Sequence, residues 1–319
     1  MRPFDLTAPT TIEAALAEPG TFLAGGTTLV DLMKLNVMTP GSVLDINDLP
    51  LRGIDSGDGL RVGALERMGD IAAHPGVYPA ISRALLQSAS QQLRNMASIG
   101  GNLLQRTRCT YFRDVAMPCN KREPGSGCPA VSGANRMHAV LGTSDHCVAT
   151  HASDVAVALV ALDAEIRLAG ADGSRTVKLA DFYREPGDTP EVENDLRPGE
   201  LITEVLVPRL DWAERSTYVK VRDRQSYEFA LCSAAVALDV RDGRVADARV
   251  AAGGVATVPW RLTAVEDALR GAPATQASFE AAASVAADGA RPLAGNGFKV
   301  SLLKRTVVRA LLELTEGSR

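Results

Sequence analysis

The sequence predicts an α+β protein of about two domains. Three observations lead there. The chain opens with short strand, glycine-turn, helix units. Gly-Asp-Gly and Asp-Gly hairpin signals then separate runs of strand-forming residues, and from Thr263 the sequence becomes alanine-rich and helical. With 319 residues, 46% hydrophobic and 23% charged, the chain can bury real cores.

Thr10 and Glu13 have capping-box spacing, so a helix should follow through Ala17. Phe22 and Leu23 lead as a short strand into Ala24-Gly25-Gly26-Thr27-Thr28, and helical periodicity resumes over Leu29 to Leu35. A glycine pair between strand and helix lets backbone N–H groups converge on an anion; a plain tight turn is the competing reading. Val43 to Ile46 reads as a strand, and Gly57-Asp58-Gly59 as a hairpin turn before Leu60 to Ala64. Pro79 suits the first turn of a helix whose buried stripe would be Ile81, Leu85, Leu86, Ala89 and Leu93. That helix leads to a second glycine turn, Ser98-Ile99-Gly100-Gly101-Asn102. Neither turn fits the Walker pattern or G-x-G-x-x-G.

An apolar segment, Val155 to Leu162, follows Ser153-Asp154, where Asp154 is either a helix cap or a ligand contact. Glu165–Leu168 and Arg175–Leu179 form a hairpin around Asp172-Gly173. Further strands are expected at Leu201–Val207, Tyr218–Arg222, Ala234–Val240 and Arg244–Ala252. The amphipathic closing helix carries Leu302, Leu303, Val307, Val308, Leu311 and Leu312, and should cover a small sheet in a separate domain.

The formal net charge of −4 and 4% aromatic content disfavour nucleic acid as a partner. The longest apolar run, Val155 to Leu162, is far short of the ~20 residues a bilayer needs. The amino terminus has no signal-peptide pattern, so the chain alone should stay in the cytoplasm, or be exported folded on a signal-bearing partner. No G-x-S-x-G, H-E-x-x-H or carboxylate pair emerges, so cofactors would have to carry the chemistry.

Four of the five cysteines, Cys109, Cys119, Cys128 and Cys147, fall within 39 positions in a basic, glycine- and proline-rich stretch. Their spacing, C-x9-C-x8-C-x18-C, admits three readings. Zinc usually shows paired C-x2–4-C knuckles, which are lacking. Disulfides need an oxidising compartment. A [4Fe–4S] cluster needs four thiolates, accepts irregular spacing, and carries negative charge that Arg106, Arg108, Arg113, Lys121, Arg122 and Arg136 could offset. His138, His146 and His151 suit surface or hydrogen-bonding roles better than ligation, and Cys232, in an expected strand, a core position.

Ala24-Gly25-Gly26-Thr27-Thr28, Ser98-Ile99-Gly100-Gly101-Asn102-Leu103, Ser153-Asp154, Tyr218-Val219-Lys220 and Glu228-Phe229-Ala230 together resemble the FAD-binding subunit of the xanthine dehydrogenase/aldehyde oxidase/carbon monoxide dehydrogenase group of molybdenum hydroxylases. The ~50 residues between the second turn and Ser153, with RTRCTYFRD and CNKREPGSGC, resemble the flavin subunit of bacterial periplasmic aldehyde oxidoreductases; 4-hydroxybenzoyl-CoA reductase has an analogous insert.

The resemblance implies a split two-part FAD-binding domain of the PCMH/vanillyl-alcohol-oxidase type over 1–214. Its subdomains would be about 1–52 and 53–214, with a [4Fe–4S] insert at about 105–150. A small α+β carboxy-terminal domain like that of CO dehydrogenase flavoproteins would follow over 215–319. FAD contacts are implied for Ala24, Gly25, Gly26, Thr27, Thr28, Leu29, Ala97, Ser98, Gly100, Gly101, Asn102, Ser153, Asp154, Ile202 and Lys220, and cluster ligation for Cys109, Cys119, Cys128 and Cys147. Family members often have Asp where this chain has Thr28, which leaves only a side-chain role there in question. The implied partners are a large molybdenum-cofactor subunit and a small [2Fe–2S] subunit, in a heterotrimer that can dimerise, with an external electron acceptor. The implied activity is aldehyde oxidation, the alternatives being a hydroxybenzoyl-CoA reductase-like or N-heterocycle/xanthine dehydrogenase. A zinc-stapled structural protein is the rival from another class.

Overall fold

The structure is a computed structural model describing residues 1–316; residues 317–319 of the expected carboxy-terminal domain lie outside the described residues. Strands β1 (Asp5–Thr7), β2 (Thr21–Leu23) and β3 (Ser42–Asp45) form a parallel sheet in the order β1-β3-β2. Leu44 on the central strand is opposite Phe22 and packs with Ala15 from helix Ile12–Ala17. That helix is capped one residue later than the capping-box spacing suggests. Thr11 has the extended backbone a cap needs, and its hydroxyl accepts the Ala14 N–H at 3.1 Å.

Strands β4 (Ile54–Asp55), β5 (Leu60–Gly63), β6 (Glu165–Gly170), β7 (Gly173–Lys178) and β8 (Leu201–Val207) make an antiparallel sheet in the order β4-β5-β8-β6-β7. The helix from Pro79 departs from expectation. Ile81 and Leu85 are buried, but it stops at Leu86, which is 55% exposed. Ser88 Oγ–H donates to Ala84 O at 2.8 Å, Ala89 takes a left-handed φ of 48°, and Leu93 belongs to a separate helix, Gln91–Met96. The stripe therefore ends where a seryl hydroxyl satisfies a terminal carbonyl.

The apolar run after Ser153 is helix Asp154–Ala161, with all eight residues buried. A helix apolar on every side belongs in an interior. It shares one core with Ile166 and Leu168 of the five-stranded sheet and with Ala235, Ala237 and Ala251 beyond it. Those alanines lie on the third sheet. It comprises β9 (Ser216–Val221), β10 (Cys232–Arg241), β11 (Arg244–Gly253) and β12 (Trp260–Arg261), ordered β12-β11-β10-β9. The closing helix, Phe298–Glu316, lies on β9 and β10 with Leu303, Val307 and Leu311 buried; Leu302, Val308 and Leu312 are partly buried. Cys232 is in this same core, away from the other thiols.

The cysteine-bearing insert has little regular structure, a short helix at Thr110–Arg113 and a 3-10 turn at Pro129–Val131. Its basic residues fasten it to its surroundings. Arg108 and Arg113 meet Asp31 at 3.0 and 2.8 Å, Arg106 and Lys121 meet Glu193 at 3.3 and 3.0 Å, and Arg136 meets Asp223 at 2.7 Å. Arg122 donates to the carbonyls of Tyr111 and Phe112 at 3.1 and 2.7 Å. Asn296 Nδ2 donates to His138 O and Ala139 O, and buried Lys299 Nζ to Met137 O at 3.0 Å and Gly254 O at 2.6 Å. Among the described residues no helix is long and apolar enough to cross a membrane.

Candidate functional site

A cleft of about 680 Å³ opens between the parallel sheet and β8, lined by Ala24 to Leu29, Ser98, Gly100, Gly101, Leu201 and Ile202. That is ample for a large cofactor. The two glycine turns contribute differently. A Cβ on Gly25 would fall 1.9 Å from Met96 O, and Gly26 has φ +71°, so the first turn admits only backbone. Among the described residues, the N–H groups of Gly25, Gly26, Thr27 and Thr28 have no protein acceptor. They lie before helix Leu29–Lys34, whose dipole adds to their positive character.

The second turn is a helix start. Ser98 caps Ile99–Leu103 by accepting the Gly101 N–H at 3.2 Å, and the Gly100 N–H donates to Ala64 O at 2.9 Å. Gly100 is held against Ala64, where a Cβ would lie 3.0 Å from the alanine methyl. Ala97 O accepts the Met68 N–H, joining this turn to the helix Met68–Ala73.

Asn102, Ser153, Asp154 and Lys220 also bond within the protein. Ser153 Oγ–H donates to Asn102 Oδ1 at 2.6 Å and accepts the Ala156 N–H, so Ser153 is the cap and Asp154 the first helical residue. Buried Asp154 accepts from Tyr218 OH at 2.6 Å and Lys220 Nζ at 2.8 Å, with Ser88 Oγ 3.0 Å away. Burial, reinforced by Asp154, drives the Tyr218 hydroxyl well above its usual range, so it stays a donor. Ile202 lines the cleft, whereas Lys220 is turned onto Asp154 and Gln87 O. Ser153 and Asp154 border a second cavity of about 300 Å³ that also touches Arg108, His138, Phe229 and Ser233.

Sequence reasoning missed one whole wall of the cleft, the segment from Glu191 to Glu200. Its signal was available: 22 residues separate Lys178 from Leu201, far above an ordinary connection. Glu193 anchors this wall. Burial alone would raise its carboxyl, but Lys121 and Arg106 outweigh that and hold it below the ordinary range.

All four clustered cysteines border one small enclosed space, together with Phe112, Lys121, His138 and His146. All five cysteines are free thiols, so the disulfide pairing considered for the insert is not formed. Among the described residues no three His, Cys, Asp or Glu side chains already form a metal-holding group. Burial pushes the Cys109 thiol up to about 11 and raises Cys128 and Cys147, with Lys121 pulling Cys147 back. Such thiols keep their protons at neutral pH unless a cation takes the proton's place.

A narrow cavity joins the two regions. It shares Leu104, Glu193 and Asn194 with the large cleft, and Thr107, Lys121, Cys147 and Ala149 with the cysteine space. His151 lines it, packed edge-on against Tyr183 at 4.5 Å; burial lowers the His151 pKa to about 4.

Residues 2–210 match the family model for the FAD binding domain in molybdopterin dehydrogenase, and residues 217–314 that for the CO dehydrogenase flavoprotein C-terminal domain. The chain is 50% identical over 315 residues to the aldehyde oxidoreductase FAD-binding subunit PaoB of Escherichia coli, covering 95% of each. It is 33% identical over 249 residues to the glyceraldehyde dehydrogenase medium chain of Sulfolobus acidocaldarius, covering 76% of this chain and 71% of the relative. A Cu,Mo-CO dehydrogenase chain in its cyanide-inactivated form superposes with TM-score 0.76 over 99% of both chains; at 23% identity that likeness concerns the fold.

Proposed function

Because the chain belongs to the FAD-binding medium subunits of the molybdenum hydroxylase family, we propose that it is the FAD- and [4Fe–4S]-carrying electron-transfer subunit of a heterotrimeric molybdenum-dependent aldehyde oxidoreductase. On this reading electrons come from the molybdenum centre of a large subunit through the [2Fe–2S] clusters of a small one, and leave to an external acceptor. The observation that supports the reading is the narrow cavity that shares lining residues with both the glycine cleft and the four-thiol space.

Both sites suit their groups. The unpartnered N–H groups at Gly25 to Thr28 fit a pyrophosphate, and only backbone can approach there. Four enclosed thiols without a paired knuckle fit an iron–sulfur cluster in donor type and number. Bound here, FAD would supply an interface between two-electron and one-electron chemistry, and the cluster a one-electron centre.

The protein's own contribution is binding and exclusion. Ala24 to Leu29 would cradle the phosphates. The Met96 to Asn102 segment would brace that turn from behind, through Met96, Ala97 and the Ser98 cap. Ile202 supplies an apolar wall, and Asp154, held by Lys220 and Tyr218, borders the adjoining cavity. Cys109, Cys119, Cys128 and Cys147 would hold the cluster. Periplasmic residence would depend on an export signal carried by a partner.

Metal and flavin analysis of the purified assembly tests this. About four iron atoms in this chain and one FAD are expected; one zinc and no flavin would overturn it. Aldehyde turnover by the isolated chain without molybdenum would equally refute the electron-transfer role.

A further inference from the structure

His138 sits between two cavities, the four-thiol space and the 300 Å³ cavity that touches Ser153 and Asp154. Its ring is buried, 5% exposed, and its Nε2 lies 3.1 Å from Cys109 Sγ. Nδ1 is buried with no partner. Of the three histidines in or beside the insert, this one contacts a clustered sulfur, whereas His146 faces Asp188 and His151 packs on Tyr183.

The backbone around the ring is fixed from both sides. The His138 N–H donates to Asn135 O, and Asn296 Nδ2 donates to His138 O at 3.2 Å. Asn135 is itself tied, donating to Ala130 O and accepting the Gly295 N–H at 2.8 Å. The backbone that carries the ring therefore cannot shift without breaking the contact between the insert and the carboxy-terminal loop.

A neutral imidazole carries one N–H. Toward a protonated Cys109, Nε2 can either accept the S–H or donate to the sulfur; toward a metal-bound sulfur, which has no proton to give, it can only donate. We propose that His138 is a positioning residue for the iron–sulfur site, donating from Nε2 to the Cys109 sulfur and so orienting that ligand and raising the reduction potential of the group it holds. The inference rests on the cluster reading above. Its physical basis is general: a hydrogen bond to a ligating sulfur removes electron density and favours the reduced state, and outer partners fix ligand orientation.

The test uses the co-expressed complex with His138→Leu and His138→Gln, the second retaining an N–H donor. Iron per chain is measured first, then the cluster is titrated with dithionite and followed by electron paramagnetic resonance. In His138→Leu with full iron, the reduced-to-oxidised ratio at a fixed potential should fall roughly tenfold, about 59 mV for a one-electron couple. His138→Gln should recover most of that shift. Iron lost in the leucine variant but kept in the glutamine variant supports the same role. An unchanged potential in His138→Leu with full iron overturns the inference, as does equal iron loss in both variants. Wild-type complex without iron in this chain refutes the cluster reading itself, and is seen before any variant is compared.

Discussion

At the first glycine turn the groups available to a ligand are backbone N–H groups, and side chains are kept out by contact with Met96 O. In the insert the available groups are four side-chain thiols on a backbone with little regular structure, pinned by ion pairs to Asp31 and Glu193. The first region binds by what the chain omits; the second by what it adds. The two should therefore fail in opposite ways, through added atoms at the turn and removed atoms in the insert.

The largest effect is expected from Gly25→Val. Its side chain would run into the Met96 carbonyl, so flavin content should fall below about a tenth of wild type and stability by more than about 3 kcal/mol. Absorbance and denaturant melts check this. Full flavin in that variant would break the contrast at its root.

Cys119→Ser is the matching experiment on the other side. The iron bound by this chain should fall roughly tenfold, leaving the assembly only the [2Fe–2S] share, while FAD is retained, read by metal analysis and flavin absorbance. Loss of both cofactors together would merge the regions into one site; activity retained without iron would assign the insert a structural role.

Glu193→Gln tests the seam. It leaves Arg106 and Lys121 facing a neutral amide, and should cost about 1–3 kcal/mol and weaken FAD binding several-fold, measured by melts and flavin titration.

The last effect concerns pH and is absent at neutrality. The His151 pKa is about 4 in the fold and about 6.5 when exposed. The unfolded chain takes up this proton first, so stability should decline as pH falls from about 6.5 to 4 and lose no more from this group below that. His151→Gln should flatten that part of a melting-temperature profile.

Much of the fold was legible because its signals are local. Gly57-Asp58-Gly59 and Asp172-Gly173 marked hairpins that the structure contains, and the closing helix showed its buried face through Leu303, Val307 and Leu311. The helix from Pro79 was misjudged in extent, because its end is decided by Ser88 reaching Ala84 O rather than by apolar spacing. In the site, Gly25 and Gly26 were legible because no other residue fits there. The Glu191–Glu200 wall was not, since an irregular segment acquires its place only through distant partners, here Lys121 and Arg106 from the insert. The same holds for the insert's basic residues. Read as counterions to a cluster, most are instead paired with carboxylates or with backbone carbonyls.

The helix Asp154–Ala161 has a mechanical consequence. All its faces are covered, one side by the helices Pro79–Leu86 and Leu179–Phe182 and the other by β10 and β11. A wall owned jointly by both halves leaves no seam along which they could hinge or melt separately. Heating should show one cooperative transition with no half-melted plateau. A fragment cut near residue 214 should aggregate, because Val157, which lies against Gly253, would lose its cover and meet water.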